Sequence, residues 1–398
     1  MTEDIIEQSF GKNFKLLKVL GICPPDSKFC SGKMFKIFAY IQEILITVGF
    51  PLLGILQLIT DNDMDMFQVA DSLFVLSQLS LFPLKHVPFL FKYEKLDELV
   101  KKLKLKSFSD IHLDQNIFIE NSIATCQFIF KMLYGLCMGC CIFYTLRPIY
   151  LNILLPTQIW LPFKVTDQDE ISRYMAWFYC AYSGCHGVLA TSAIDTIISG
   201  LVIHATGQIK ILKNNLQFVG KRADEAVFHM KETHKSLARK RFIRTSLLEF
   251  ADHYNDIIEF VKQINDLLSV AVFTQIFGSA VVICMMCYIL SIVGVYSITG
   301  ISFTLYIVSM LFQIFFYCFF GNDLIAESNS ITDSIYVSNW YTYETSSKKI
   351  LILIMERAKK PLMLTAGKVV AVSLPLFVAV LKQAYSLMAV LQSRTHTD

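Results

Sequence analysis

Lys382 and Gln383 interrupt the last apolar run of the chain, Pro361 to Gln392, which also contains Ser373, Pro375 and Ser386. A lysine at mid-membrane costs roughly 2.5–3.5 kcal/mol on insertion scales, so it must face protein, water or an interface rather than acyl chains. As one helix these roughly 30 residues would extend about 45 Å, enough for a bilayer core, with a kink expected at Pro375. Nothing points to covalent chemistry. The chain has no HExxH, no G-x-S-x-G elbow and no Gly-rich phosphate loop. His229 and His234 lack metal-ligand spacing, so neither a metal nor another cofactor is expected. The eleven cysteines are an odd number, and Cys126, Cys137, Cys140, Cys141, Cys284 and Cys287 fall inside apolar stretches, where a small apolar side chain explains them. The chain reads as something other than an enzyme.

The elements that position these residues are membrane helices. Of 398 residues, 54% are apolar and 32 are phenylalanine, more than a soluble protein of this size needs. Charged residues make up 17% and are clustered, which predicts an all-α integral membrane protein. Residues 1–33 form a polar tail without a signal-peptide h-region. Ile5, Ile6, Phe10, Phe14 and Leu17 recur there at helical spacing, as in a helix lying along the inner membrane surface.

Seven transmembrane helices are expected. Four lie within 34–206, near 34–59, 66–91, 117–146 and 174–203. A cytosolic helical extension (207–262) precedes the fifth and sixth, which share 263–320. A cytosolic anchor segment (321–360) precedes the seventh (361–392), and 393–398 form an extracellular tail. The acidic turn 61–65 follows the first span, and 147–172, with Pro148, Pro156, Trp160 and Pro162, reads as a structured loop or lid. Lysine and arginine crowd one set of connections, 92–106, 208–262 and 348–360, whereas the other set holds only Arg147, Lys164, Arg173 and Arg394. The positive-inside rule then makes the N-terminus cytosolic and the C-terminus extracellular, opposite to G-protein-coupled receptors. Basic cytosolic residues interleave with acidic ones, as on a solvated helical face, so no nucleic-acid partner is expected. A transporter would display inverted repeats or several intramembrane acids, and neither stands out.

An ordered series runs to the C-terminal end. It comprises Gly321-Asn322-Asp323-Leu324, Glu327-Ser328, Ser334-Ile335-Tyr336-Val337-Ser338-Asn339-Trp340-Tyr341, Lys348-Lys349-Ile350 and Met355-Glu356-Arg357. It continues with Pro361-Leu362, Thr365-Ala366-Gly367, Ser373-Leu374, Phe377, Val380-Leu381-Lys382 and Ala384-Tyr385-Ser386-Leu387. This series resembles the C-terminal signature of insect odorant receptors. Gustatory receptors end in Thr-Tyr, five apolar residues and Gln-Phe. Here Tyr385 follows Ala384, and Gln392 comes one residue late before Ser393. The stretch 208–262 is too short for the long insertion of the odorant-receptor coreceptor, so the chain resembles an odour-tuning subunit. A gustatory-receptor-like channel or a G-protein-coupled receptor is the alternative.

The resemblance implies a ligand-gated, nonselective cation channel in the plasma membrane of olfactory sensory neurons. It would be a heterotetramer with the coreceptor, set in membrane lipids and passing permeating cations through a pore lined by the last helix. It further implies a small volatile organic ligand bound in the outer half of the bundle, between spans two, three, four and six. That selects Phe67, Asp71, Phe74 and Val75, then Tyr134, Met138, Ile142 and Thr145, with Phe178, Tyr182, Phe303 and Tyr306. Asp71 would accept a hydrogen bond from the ligand or be capped within the bundle. Leu381, Met388 and Gln392 share one helical face with Ala384 or Tyr385 and are the pore and gate candidates, since an apolar ring closes a pore by dewetting. Lys382 is expected to face a neighbouring helix. Tyr336, Trp340 and Tyr341 are the subunit-interface candidates.

Overall fold

A backbone in hydrocarbon finds no water to bond, so a chain this apolar must satisfy its polar groups within helices. The computed structural model describes residues 2–23, 32–61, 66–109, 113–162, 169–229 and 231–395, and these are helical apart from connections and one short hairpin. The chain opens with α1 (Thr2–Val19). Helices α2 (Gly32–Gln42) and α3 (Gly49–Thr60) are joined by a π-helical stretch, Glu43–Val48, immediately before Pro51. Pro51 has no N–H to donate, and the ladder widens just upstream of it. Then come α4 (Met66–Phe91), the short α5 (Tyr93–Lys101) and α6 (Lys106–Ser109), and the long α7 (Asn116–Leu151). Helices α8 (Glu170–Ala226), α9 (Glu232–Val293) and α10 (Ile298–Asn329) follow, and α11 (Ile331–Val337) and α12 (Thr345–Ala358) precede the hairpin. The last helix is α13 (Leu374–Thr395). Among the described residues, six helices are long and apolar enough to cross a membrane: the joined α2–α3, α4, α7, α8, α9 and α10.

Helix ends follow from local chemistry. Asp169 caps α8 by accepting from the Ser172 N–H, and Ser297 caps α10 by accepting from Gly300 at 2.9 Å. Gly294, at φ 80°, stops α9 and turns the chain into α10. No comparable stop exists between residues 203 and 210. The expected fourth span and the first part of the cytosolic extension, up to Ala226, are therefore one helix of 57 residues, roughly 85 Å long. The same holds for α9, which continues the cytosolic extension into the expected fifth span over 62 residues.

Two expectations are corrected. The first is the single helix from Pro361 to Gln392. Residues 361–373 are extended, and strands β1 (Thr365–Ala366) and β2 (Val370–Ala371) pair antiparallel around a turn with Gly367 and Lys368 at φ 60° and 62°. Helix α9 holds this segment. The Asn265 amide donates to the Met363 carbonyl at 2.9 Å and accepts from the Thr365 N–H at 2.7 Å, and Gly367 N–H bonds the Ser269 carbonyl at 2.9 Å. Pro375 then falls in the first turn of α13, where its missing N–H is not needed, so it starts the helix rather than kinking it. The second correction concerns α1. Phe10 and Leu17 are fully buried, Ser9 bonds His204 at 2.9 Å, and Asn13 bonds Thr196 at 2.5 Å. Its apolar face packs on α8 and α7, not along the membrane surface.

The centre of the bundle is more charged than the sequence suggested. Lys85 of α4 and Asp195 of α8 pair at 3.0 Å with both side chains almost wholly buried, and the Tyr317 hydroxyl donates to Asp195 at 2.8 Å. Glu43 meets His86 at 3.0 Å, and Asp71 meets Arg147 at 2.7 Å. Intramembrane acids are therefore present, each with a cationic or imidazole partner, as low dielectric demands. In the polar half, the His253 ring nitrogen bonds the Gln208 side-chain oxygen at 3.0 Å. Burial holds His253 down at about 4, only partly offset by Asp256, so it is neutral near pH 7 and donates Nε2–H to Gln208.

Candidate ligand cavity

Four helices meet at the end of the bundle where α4, α8 and α10 begin and α7 ends. They leave a partly open cavity with mainly apolar walls. Phe74, Val75, Leu79 and Phe82 come from α4, Cys140, Cys141, Phe143, Tyr144 and Arg147 from α7, Gly184 and Val188 from α8, and Phe303 and Tyr306 from α10. Phe74 meets Phe303 and Tyr306 edge-on, with ring centroids 5.9 and 5.1 Å apart. Gly187 admits the Phe82 ring against the α8 backbone, a space that any side chain would fill. The connection after α7 folds back over this end. Arg147 donates to the Pro156 carbonyl at 3.2 Å, Tyr144 bonds Thr157 at 2.9 Å, and Trp160 N–H reaches the Leu53 carbonyl.

The expected ligand residues divide. Phe74, Val75, Phe303 and Tyr306 line this cavity. Asp71 lies one turn before Phe74 and does not line it. Its carboxylate is capped within the bundle by Arg147, whose guanidinium also lies 5.9 Å from the Phe303 ring centre. Tyr134, Met138, Ile142 and Thr145 are not brought to it. Tyr134 stacks on Phe130, Ile142 is exposed, and Thr145 borders a separate hollow beside Trp177. Phe178 and Tyr182 are exposed and stack on each other on the outer face of α8, with Tyr182 contacting the Gln42 amide. The Phe67 side chain lies outside the described residues.

The miss on α7 is one of rotational phase. Tyr134, Met138, Ile142 and Thr145 form one stripe, and Cys137, Cys140, Tyr144 and Arg147 form another about 100° away. Both stripes are apolar enough to look alike. The signal that separates them is Arg147, since an arginine at membrane depth turns inward to a partner. Sequence reasoning assigned it to the loop. The lining residues Gln78, Cys140, Cys141, Tyr144, Gly184 and Val188 were also missed.

On α13, Val380 and Ala384 are buried against the chain's own bundle, Leu381 is half-buried, and Lys382 and Tyr385 are exposed. Lys382 is therefore not buried against the described helices of its own chain. The side chains of Met388 and Gln392 lie outside the described residues. Tyr336 and Tyr341 are exposed, while Trp340 is half-buried with its ring edge-on to Tyr336 at 6.4 Å. Among the described residues, no group of three or more His, Cys, Asp or Glu side chains could hold a metal, and every cysteine is a free thiol.

Long apolar helices, buried charge pairs and a partly open apolar cavity define a multi-pass membrane protein with an internal cavity. The family model described as 7tm Odorant receptor matches residues 65–385, and the chain belongs to that family. Odorant receptor Or1 of Anopheles gambiae is 22% identical over 410 residues, covering 97% of this chain and 95% of that one. The odorant receptor coreceptor of Aedes aegypti is 24% identical over 139 residues, 35% of this chain and 29% of its own length. The solved structure of the insect olfactory receptor OR5 from Machilis hrabei in complex with eugenol superposes with a TM-score of 0.82. It covers 96% of this chain and 97% of that one at 17% identity, a likeness of fold.

Proposed function

We propose that this chain is the odour-tuning subunit of a ligand-gated, nonselective cation channel that assembles with the coreceptor in the plasma membrane of olfactory sensory neurons. The cavity at the end of α4, α7, α8 and α10 carries this reading: its walls are mainly apolar, and the connection after α7 is held beside it by the Arg147 bond to the Pro156 carbonyl. In this reading α13 is a seventh span, the N-terminus is cytosolic, and the cavity occupies the outer half of the membrane. The lysine-rich connections fit that orientation.

The pore is assigned to α13, with Met388 as the apolar gate, Gln392 as the first polar contact at the mouth and Leu381 one level deeper. The exposed Tyr336 and Tyr341, beside Trp340, form part of the contact with neighbouring subunits below the membrane. An aromatic surface of this kind, left open to water, is what an interface covers. Expression alone should give little odour-evoked current, and co-expression with a coreceptor should give robust current across part of an odorant panel. Robust current from a verified homomer overturns the assignment as a dependent subunit. Met388→Ser should raise basal current in the co-expressed channel. If basal current and permeability stay unchanged while Lys382→Gln alters cation selectivity, another face of α13 lines the pore.

A further inference from the structure

The walls of the cavity are apolar, but its inner end is not. A smaller hollow, with room for about one water-sized group, continues from it between the same helices, and Gln78, Phe82, Cys140, Val188 and Tyr306 border both spaces. Thr191 and Ser309 border the inner hollow. Two polar atoms here are buried without a hydrogen-bond partner, Gln78 Oε1 and Thr191 Oγ1. Gln78 is 6% exposed and Thr191 1%, so bulk water does not compensate them. Helix residues usually spend a threonine hydroxyl on the carbonyl one turn back, as Thr196 does at 2.9 Å, but Thr191 does not. Gln313, which also borders the inner hollow, has its side-chain oxygen taken by the Gln275 amide N–H at 2.8 Å. An unmatched glutamine is thus not the rule in this core.

An acceptor and a hydroxyl left unpaired beside a void are complementary to a ligand that both donates and accepts. An alcohol or phenol does so with a single oxygen, donating to Gln78 Oε1 and accepting from Thr191. The apolar remainder of such a ligand fits the outer chamber among Phe74, Val75, Phe303 and Tyr306. We propose that the floor formed by Gln78 and Thr191 reads a ligand hydroxyl, so that the receptor selects small hydroxylated volatiles over their ether and hydrocarbon counterparts. This rests on the odour-gated reading above and names the ligand class for it. A site built to hydrogen-bond a hydroxyl rejects the analogue lacking it more strongly than an apolar site rejects a change of size.

The test uses the full-length chain co-expressed with a coreceptor and matched probes: primary alcohols and phenols of increasing size, their methyl ethers and the corresponding hydrocarbons. A direct coreceptor agonist is the control. The wild-type receptor should respond to the best alcohol or phenol at a concentration about tenfold or more below that of its ether. Gln78→Leu, close in volume and without polar atoms, should shrink that ratio severalfold, and Thr191→Val should shrink it less. Coreceptor-agonist current should stay unchanged in both variants. Equal potency of alcohols and ethers on wild type, or a ratio unchanged by Gln78→Leu, overturns the hydroxyl reading while leaving an odour-gated channel. If no probe and no wider odorant panel evokes current while the agonist does, the odour-gated reading falls and this inference with it.

Discussion

At the end of the bundle away from the cavity, the inner end in the proposed orientation, Gln208 and His253 meet at 3.0 Å, and Gln115 bridges Asn214 and Asn215, both at 2.7 Å. At the cavity end, the outer one in that orientation, Gln78 Oε1 and Thr191 Oγ1 are buried without a hydrogen-bond partner. Buried hydroxyls without partners occur inward too, at Tyr254 and Tyr343. Gln78 and Thr191 differ in bordering a void. The same residue types therefore lock one end and leave the other receptive. The inner end, where α8 and α9 continue unbroken beyond the apolar segments, is built for a fixed arrangement of helices. The outer end keeps a hollow that a ligand can fill. The Lys85–Asp195–Tyr317 cluster lies between them and ties α4, α8 and α10 together.

The largest effect should come from breaking that tie. Lys85→Ala or Asp195→Ala leaves a buried charge uncompensated, a cost of about 3–5 kcal/mol. That is a large share of a typical stability of about 5–15 kcal/mol. Surface expression should fall sharply, and the joint replacement Lys85→Met with Asp195→Leu should recover much of it. Single variants expressed as well as wild type would show that the pair does not hold the two ends together.

Next in size is Arg147→Met, which strips Asp71 of its partner at the cavity wall. A loss of about 1.5–3 kcal/mol is expected for a charged hydrogen bond, with odorant sensitivity altered as well. Adding Asp71→Asn should return stability, read as the thermal midpoint of the purified assembly. No recovery would mean that Arg147 acts through Pro156 and the overlying connection instead.

A smaller effect is expected at the inner end. His253 is held neutral by burial, with its proton affinity lowered to about 4 from an ordinary 6.5. A depressed histidine contributes stability that is fully present above the unfolded value and is lost as pH falls from about 6.5 toward 4. Backbone hydrogen exchange around residues 250–260 should therefore quicken from pH 7 to pH 5, after correction for the intrinsic rate. His253→Gln should flatten that dependence, and a wild-type profile that is flat would remove His253 from the account.

Much of the fold was legible because apolar run length and charge clustering speak directly to membrane crossing. Composition and the C-terminal series from Gly321 to Leu387 placed the chain in its family. The unbroken courses of α8 and α9 were harder to see. Polarity changes at the expected membrane boundary, but helix geometry does not, and nothing there stops the ladder. The hairpin before α13 was hidden because 361–373 is as apolar as a span. Its partner, Asn265, lies about 100 residues upstream. On α4 and α10 the expected ligand residues Phe74, Val75, Phe303 and Tyr306 converge on the cavity. Those on α7 and α8 do not, because bulky aromatic residues such as Phe178 were preferred to the small Gly184 and the cysteines that border it. Space in a bundle is created by small residues, and a search for large ones overlooks it.

The measurement that tests the central claim most directly is an alanine comparison of two faces in the co-expressed channel. One set is Phe74, Phe303 and Tyr306, which line the cavity, and the other is Tyr134, Ile142 and Phe178, which do not. Concentration–response curves to the strongest odorant are read against current from a direct coreceptor agonist. The account predicts shifts of about tenfold or more for at least two of the first set and little change for the second, with agonist current preserved throughout. Large shifts confined to Tyr134, Ile142 or Phe178 would contradict it and move the ligand site to the outer faces of α7 and α8.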